Sequence, residues 1–86
     1  MLFRSVNAIE PGFVSGPRIE GTIAKRAEDG GTTADRVREE LVQHVSLKRM
    51  VDADDIARTA LFLCSEDARN ISGQTLSVCG DVRTLV

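Results

Sequence analysis

Val6-Asn7-Ala8-Ile9-Glu10-Pro11-Gly12-Phe13-Val14 decides how this 86-residue chain is read. Residues 6–9 form a short apolar run of the kind a buried strand makes. The run should stop at Glu10-Pro11-Gly12, because proline has no backbone N–H for a ladder and glycine tolerates positive φ. Gly16-Pro17 is a second breaker, and Pro17 suits the first position of a helix. Over residues 18–28, Ile19, Ile23 and Ala27 recur every four positions, which is one face of a helix. Asp29-Gly30-Gly31 ends it and offers a glycine for a left-handed cap.

A second helix opens at Thr32 or Thr33. Val37, Leu41 and Val45, backed by Val42, mark its apolar face, and Arg36, Glu39, Glu40 and Gln43 its polar one. His44 falls near its end, where an imidazolium suits the helix dipole. No nucleophile or carboxylate pairs with His44, so it reads as a solvated or capping residue rather than a base. A linker over residues 46–51 leads to a third helix, with Asp52 as N-cap and Asp55 three positions later. Ile56, Ala60 and Leu63, with Ala57, Leu61 and Cys64, build a wide apolar stripe. Such a stripe predicts a helix pressed against a sheet. After a polar turn, residues 74–79 form a closing strand, from Gln74 to Cys79, stopped by Gly80-Asp81. Strand, helical crossover and strand make a βαβ unit with two parallel strands. The class is α/β. Its first strand keeps a bare apolar edge, where a larger sheet would place another strand.

Composition narrows the function classes. Hydrophobic residues at 42% and charged ones at 28% are ordinary for a globular chain. A chain of this length makes one domain at most and buries only roughly 60–65% of its unfolded surface, which leaves it marginal. Eleven basic and thirteen acidic side chains give a net charge of −2, no footprint for nucleic acid or an anionic membrane. A helix-turn-helix reading is weak, because the linker of residues 46–51 is long and Asp52, Asp54 and Asp55 would repel phosphate. The longest apolar run, residues 60–64, is too short to span a bilayer, and Met1-Leu2-Phe3-Arg4 is no secretory signal. Cys64 and Cys79 lie in apolar patterns and read as reduced core thiols of a cytoplasmic protein. With one His and two distant Cys there is no metal-ligand spacing.

Three stretches, in order and at matching separations, resemble the short-chain dehydrogenase/reductase family. Val6-Asn7-Ala8-Ile9 with Pro11-Gly12 matches the Val-Asn-x-Ile-x-Pro-Gly run that ends the family's sixth strand. Leu47-Lys48-Arg49-Met50-Val51, followed by Asp54-Asp55-Ile56-Ala57 and Leu61-Phe62-Leu63, resembles the approach to its penultimate helix. Ile71-Ser72-Gly73-Gln74 with Leu76-Ser77-Val78 resembles its final strand. The resemblance implies the C-terminal fragment of a Rossmann-type doubly wound parallel sheet over residues 6–86: strand, two lid helices, helix, strand. Residues 1–5 fit the family poorly and are expected to be a non-family start, adapter-derived or mis-called.

By the same resemblance the intact enzyme would move a hydride between an alcohol or carbonyl substrate and NAD or NADP. Pro11 and Gly12 would shape the loop beside the nicotinamide, and the main chain of Val14 would hydrogen-bond its carboxamide. Gly16 stands where many members carry a Thr whose hydroxyl meets the cofactor phosphate. Ser15 or a backbone N–H at the next helix start would have to replace it. Arg18 and Ile19, at the start of the lid, are the candidate substrate contacts. For Arg18 a solvated helix-start role is the alternative. The family's catalytic Tyr-x-x-x-Lys pair and Gly-rich fingerprint belong upstream, and this chain contains no Tyr. No catalytic residue is therefore assigned, and the chain alone is expected to be inactive and unable to hold the cofactor. The helix of residues 56–64 and the strand of residues 74–79 are the expected homo-oligomer surface. A second reading is a non-enzymatic βαβ remnant serving as an oligomerisation or interaction module.

Overall fold

Along the chain come β1 (Ala8–Pro11), α1 (Pro17–Asp29), α2 (Ala34–Gln43), α3 (Ala53–Leu63), a 3-10 turn (Glu66–Ala68) and β2 (Thr75–Val78). The computed structural model describes residues 5–82, so the expected non-family start lies, apart from Ser5, outside the described residues. β1 and β2 pair in parallel, from Ala8 opposite Thr75 to Pro11 opposite Val78. This is the α/β arrangement with two lid helices that the sequence predicts.

The first strand sits later than expected and runs through Pro11. The amide of Ala8 donates to the Gln74 carbonyl at 2.8 Å and that of Gly12 to the Val78 carbonyl at 3.0 Å. Amides facing β2 therefore alternate, and Pro11 occupies a position whose missing N–H would point to the opposite edge. Proline costs this ladder nothing. Ahead of the strand, Asn7 fixes the register with its side chain. Its Nδ2 donates to the Ile71 carbonyl at 3.2 Å and its Oδ1 accepts from the Gln74 amide at 3.0 Å. The Val6 carbonyl accepts from the Gly73 amide at 2.7 Å.

The helix boundaries follow their local chemistry. Gly31, with φ +62°, takes the left-handed position after α1 that a side chain would resist. Thr33 caps α2, its hydroxyl accepting from the Arg36 amide at 3.2 Å. At α3 the Asp55 carboxylate reaches back to the Asp52 amide at 3.0 Å. Arg38 on α2 donates to Glu20 on α1 and, at 2.9 Å, to Asp35. The hydrogen bond and charge of Glu20, then those of Asp35, raise the Arg38 pKa. The cluster is exposed, so salt should screen most of its worth.

The core does not lie where the widest apolar stripe predicts. Ile23, Ala27, Val37 and Leu41 form one buried cluster between α1 and α2, with Phe13, Ile19, Ala34 and Met50 packed against it. α3 has no buried residue. Its Ile56, Thr59 and Leu63 are half-buried, whereas Ala57, Ala60 and Cys64 are exposed. Leu61 is 71% exposed and Phe62 45%. The reason is width: strands lie about 4.8 Å apart, so two of them make a floor narrower than a helix with its side chains. One flank of the stripe stays uncovered. Cys64 is accordingly not a core thiol; both cysteines are free, with Cys79 half-buried. The radius of gyration is 16.3 Å, against about 12 Å for a compact domain of this length. Among the described residues no helix is long and apolar enough to cross a membrane.

Because Ile23 is fully buried, Ile23→Ala should lose about 2–5 kcal/mol of stability in thermal unfolding followed by circular dichroism. Asn7→Ala removes two backbone anchors and should cost about 1–3 kcal/mol in the same measurement. Unchanged midpoints would contradict these placements.

Candidate functional site

As the chain leaves β1 it passes hard against the end of β2. A Cβ on Gly12 would lie 2.7 Å from both Cα and Cβ of Cys79, closer than any side chain tolerates. Gly12 is therefore required by strand packing, quite apart from any ligand. Val51 then holds the loop from the other side. The Val51 amide donates to the Phe13 carbonyl and its carbonyl accepts from the Ser15 amide, both at 2.8 Å.

This pairing decides where Val14 points. Val14 and Val51 form an isolated parallel bridge. When a residue bonds the positions on either side of its partner, the partner's own N–H and C=O face the opposite way. The Val14 main-chain groups are thus turned outward and take no partner among the described residues. Val51 is itself anchored through its linker to the end of β2. The Ser46 amide donates to the Asp81 carbonyl at 2.8 Å and the Leu47 amide to the Gly80 carbonyl at 3.1 Å. The Ser46 hydroxyl also donates to the Asp81 carboxylate at 2.6 Å.

Gly16 is the N-cap of α1, with φ +148° and ψ −178°. Its absent Cβ would meet nothing within 4 Å, so backbone conformation rather than crowding selects glycine. A Thr at this position would need a different backbone. Pro17 has no N–H, the Glu20 amide is spent on the Gly16 carbonyl at 3.1 Å, and the amides of Arg18 and Ile19 have no partner among the described residues.

All six predicted site residues, Pro11, Gly12, Val14, Gly16, Arg18 and Ile19, line one concavity of about 460 Å³. Arg18 is exposed, whereas Ile19 is half-buried and also packs on the lid core. Sequence reading missed Phe13, which walls the concavity, and Val51, which fixes the loop. An apolar residue just before the N-cap of α3 is the one signal Val51 offers, and it carries no hint of strand-like pairing. His44 is exposed and lies outside the concavity. Among the described residues no cluster of His, Cys, Asp and Glu could hold a metal.

The family model described as enoyl-(acyl carrier protein) reductase matches residues 4–81. The chain belongs to the short-chain dehydrogenase/reductase family. A diacetyl reductase, (S)-acetoin forming, of Staphylococcus aureus is 32% identical over 79 residues, covering 92% of this chain and 31% of the relative. The structure of a short chain dehydrogenase family protein from Francisella tularensis superposes with a TM-score of 0.83 at 25% identity, covering 88% of this chain and 31% of that one. L-sorbose reductase of Gluconobacter frateurii, solved with NADPH and L-sorbose, gives 0.78 at 26% identity over 95% of this chain and 32% of its own. The chain spans about a third of the length of the curated relatives it matches.

In this short-chain dehydrogenase/reductase chain both loop-glycine substitutions should destabilise, for different reasons. For Gly12→Ala the overlap with Cys79 should cost about 1–3 kcal/mol. Gly16→Ala meets open space and should cost about 1–3 kcal/mol through its backbone alone, because φ +148° with ψ −178° is a region nearly reserved for glycine. Urea unfolding of the two variants checks both losses.

Proposed function

We propose that residues 6–86 are the C-terminal cofactor-loop and substrate-lid portion of an NAD(P)-dependent oxidoreductase that interconverts alcohols and carbonyls, residues 1–5 being a non-family start. The observation that carries this reading is the outward-turned main chain of Val14 at the rim of the concavity. Its N–H and C=O match an amide, which needs one acceptor and one donor side by side. The free amides of Arg18 and Ile19 suit a phosphate oxygen at a helix start, in place of the threonine hydroxyl. These features fit a nicotinamide dinucleotide, NAD or NADP. When bound, the nicotinamide supplies or accepts the hydride.

This chain's own residues orient and enclose. Pro11 and Gly12 set the path of the loop, Val14 fixes the face of the amide-bearing ring, and Gly16 turns the chain into the lid. The Arg18 side chain, without a partner among the described residues, reaches a substrate or cofactor anion, and Ile19 joins the lid core to the concavity. The acid and base would come from residues N-terminal to β1, since this chain has no Tyr. α3 and β2 form the homo-oligomer surface, supported by the exposure of Leu61, Phe62 and Leu76. The setting is cytoplasmic, in keeping with two free cysteines.

The test joins residues 6–86 to the N-terminal two-thirds of a relative that carries a glycine fingerprint and Tyr-x-x-x-Lys. The joined protein should reduce carbonyls with a reduced nicotinamide coenzyme, and the 86-residue chain alone should not. Val14→Pro, which deletes one donor, should raise the coenzyme Kd about tenfold. Turnover by the short chain alone, or a folded joined protein that binds no coenzyme, would defeat the proposal.

A further inference from the structure

Beside Phe13, α1 and α2 border a second cleft of about 680 Å³. Its apolar wall is Phe13 with Val37 and Leu41, residues of the lid core. Its rim carries Arg26 from α1 and Arg36, Glu40 and His44 from successive turns of α2. Neither guanidinium is spent on an internal partner among the described residues; Arg18, Arg49 and Arg58 share that state, but only Arg26 and Arg36 line this cleft. Lys25, Arg38 and Arg69 each pair with a carboxylate, whereas Arg26 and Arg36 make no side-chain hydrogen bond or ion pair among the described residues. Even Glu40, four residues after Arg36, does not pair with it.

We infer that this cleft binds an organic monocarboxylate with an apolar body, held head-first by Arg26 and Arg36. Charge points to the head group: two unpaired guanidiniums face one carboxylate at the rim, in a chain whose net charge is −2. The planar donor fork of arginine suits a carboxylate, and two forks can serve its two oxygens. The wall points to the body, because the half-buried Phe13, backed by the edges of the buried Val37 and Leu41, offers ring and hydrocarbon surface. The volume falls within the roughly 300–1,000 Å³ of small-molecule sites. Glu40 opposes the anion and so favours a single negative charge over a dianion. The site goes beyond the oxidoreductase reading and needs no coenzyme, so it stands or falls on this chain alone.

The test uses the full 86-residue chain, ¹⁵N- and ¹³C-labelled and followed by NMR. Three probes are titrated: phenylbutyrate, its neutral counterpart phenylbutanol, and inorganic phosphate. Phenylbutyrate should move the Arg26 and Arg36 side-chain resonances together with the Phe13, Val37 and Leu41 signals. Phenylbutanol should bind about tenfold more weakly. Arg26→Gln and Arg36→Gln should each weaken phenylbutyrate about tenfold without altering phenylbutanol binding, and Glu40→Gln should strengthen it. These side chains are exposed and make no internal side-chain bonds, so the variants should keep the dispersed spectrum of the parent. Equal binding of the acid and the alcohol overturns the inference. So does phosphate binding as tightly as phenylbutyrate, or indifference of the acid to both arginine substitutions.

Discussion

The structure rests on the parallel pairing of β1 with β2, two four-residue strands separated by more than sixty residues. Closing a loop of that length costs about 4 kcal/mol in chain entropy, more than four residue pairs readily return. The ends of the ladder carry the difference. At one end Asn7 brackets the entry to β2 with both atoms of its side-chain amide. At the other, Gly12 lies against Cys79 and the linker after α2 bonds both to the loop and to Asp81. The geometry of the loop after β1 follows from that second end. Val51 bonds Phe13 and Ser15, and the main chain of Val14 is left facing outward.

The lid is nearly a separate body. Its core of Ile23, Ala27, Val37 and Leu41 belongs to α1 and α2 alone, while α3 meets the strands with one flank. Phe13, from the loop after β1, and Met50, from the linker before α3, connect the two parts. Phe13 lines both the concavity beside Val14 and the second cleft.

How far the sequence could be read is clear from particular residues. Gly30-Gly31, Thr33 and Asp52 with Asp55 mark helix ends because capping is a contest among neighbours, and all three behave as predicted. The strand boundary at Pro11 was misread, since proline breaks a ladder only if its N–H would have faced the partner. The stripe on α3 was legible as apolar. Its burial was not, because exposure depends on how much sheet lies beneath it. The six site residues are close in sequence, so their meeting in one concavity needed little beyond the loop itself.

The sequence by itself determined the α/β class, the order of elements, the lid helices and the family, because these depend on periodicity, caps and motifs within short spans. Tertiary structure alone decided the outward turn of Val14, the role of Asn7 and the placing of Arg26 and Arg36 on one cleft. Each depends on groups distant in the chain, or on different elements, being brought to one place. No local pattern of side chains encodes such a placement.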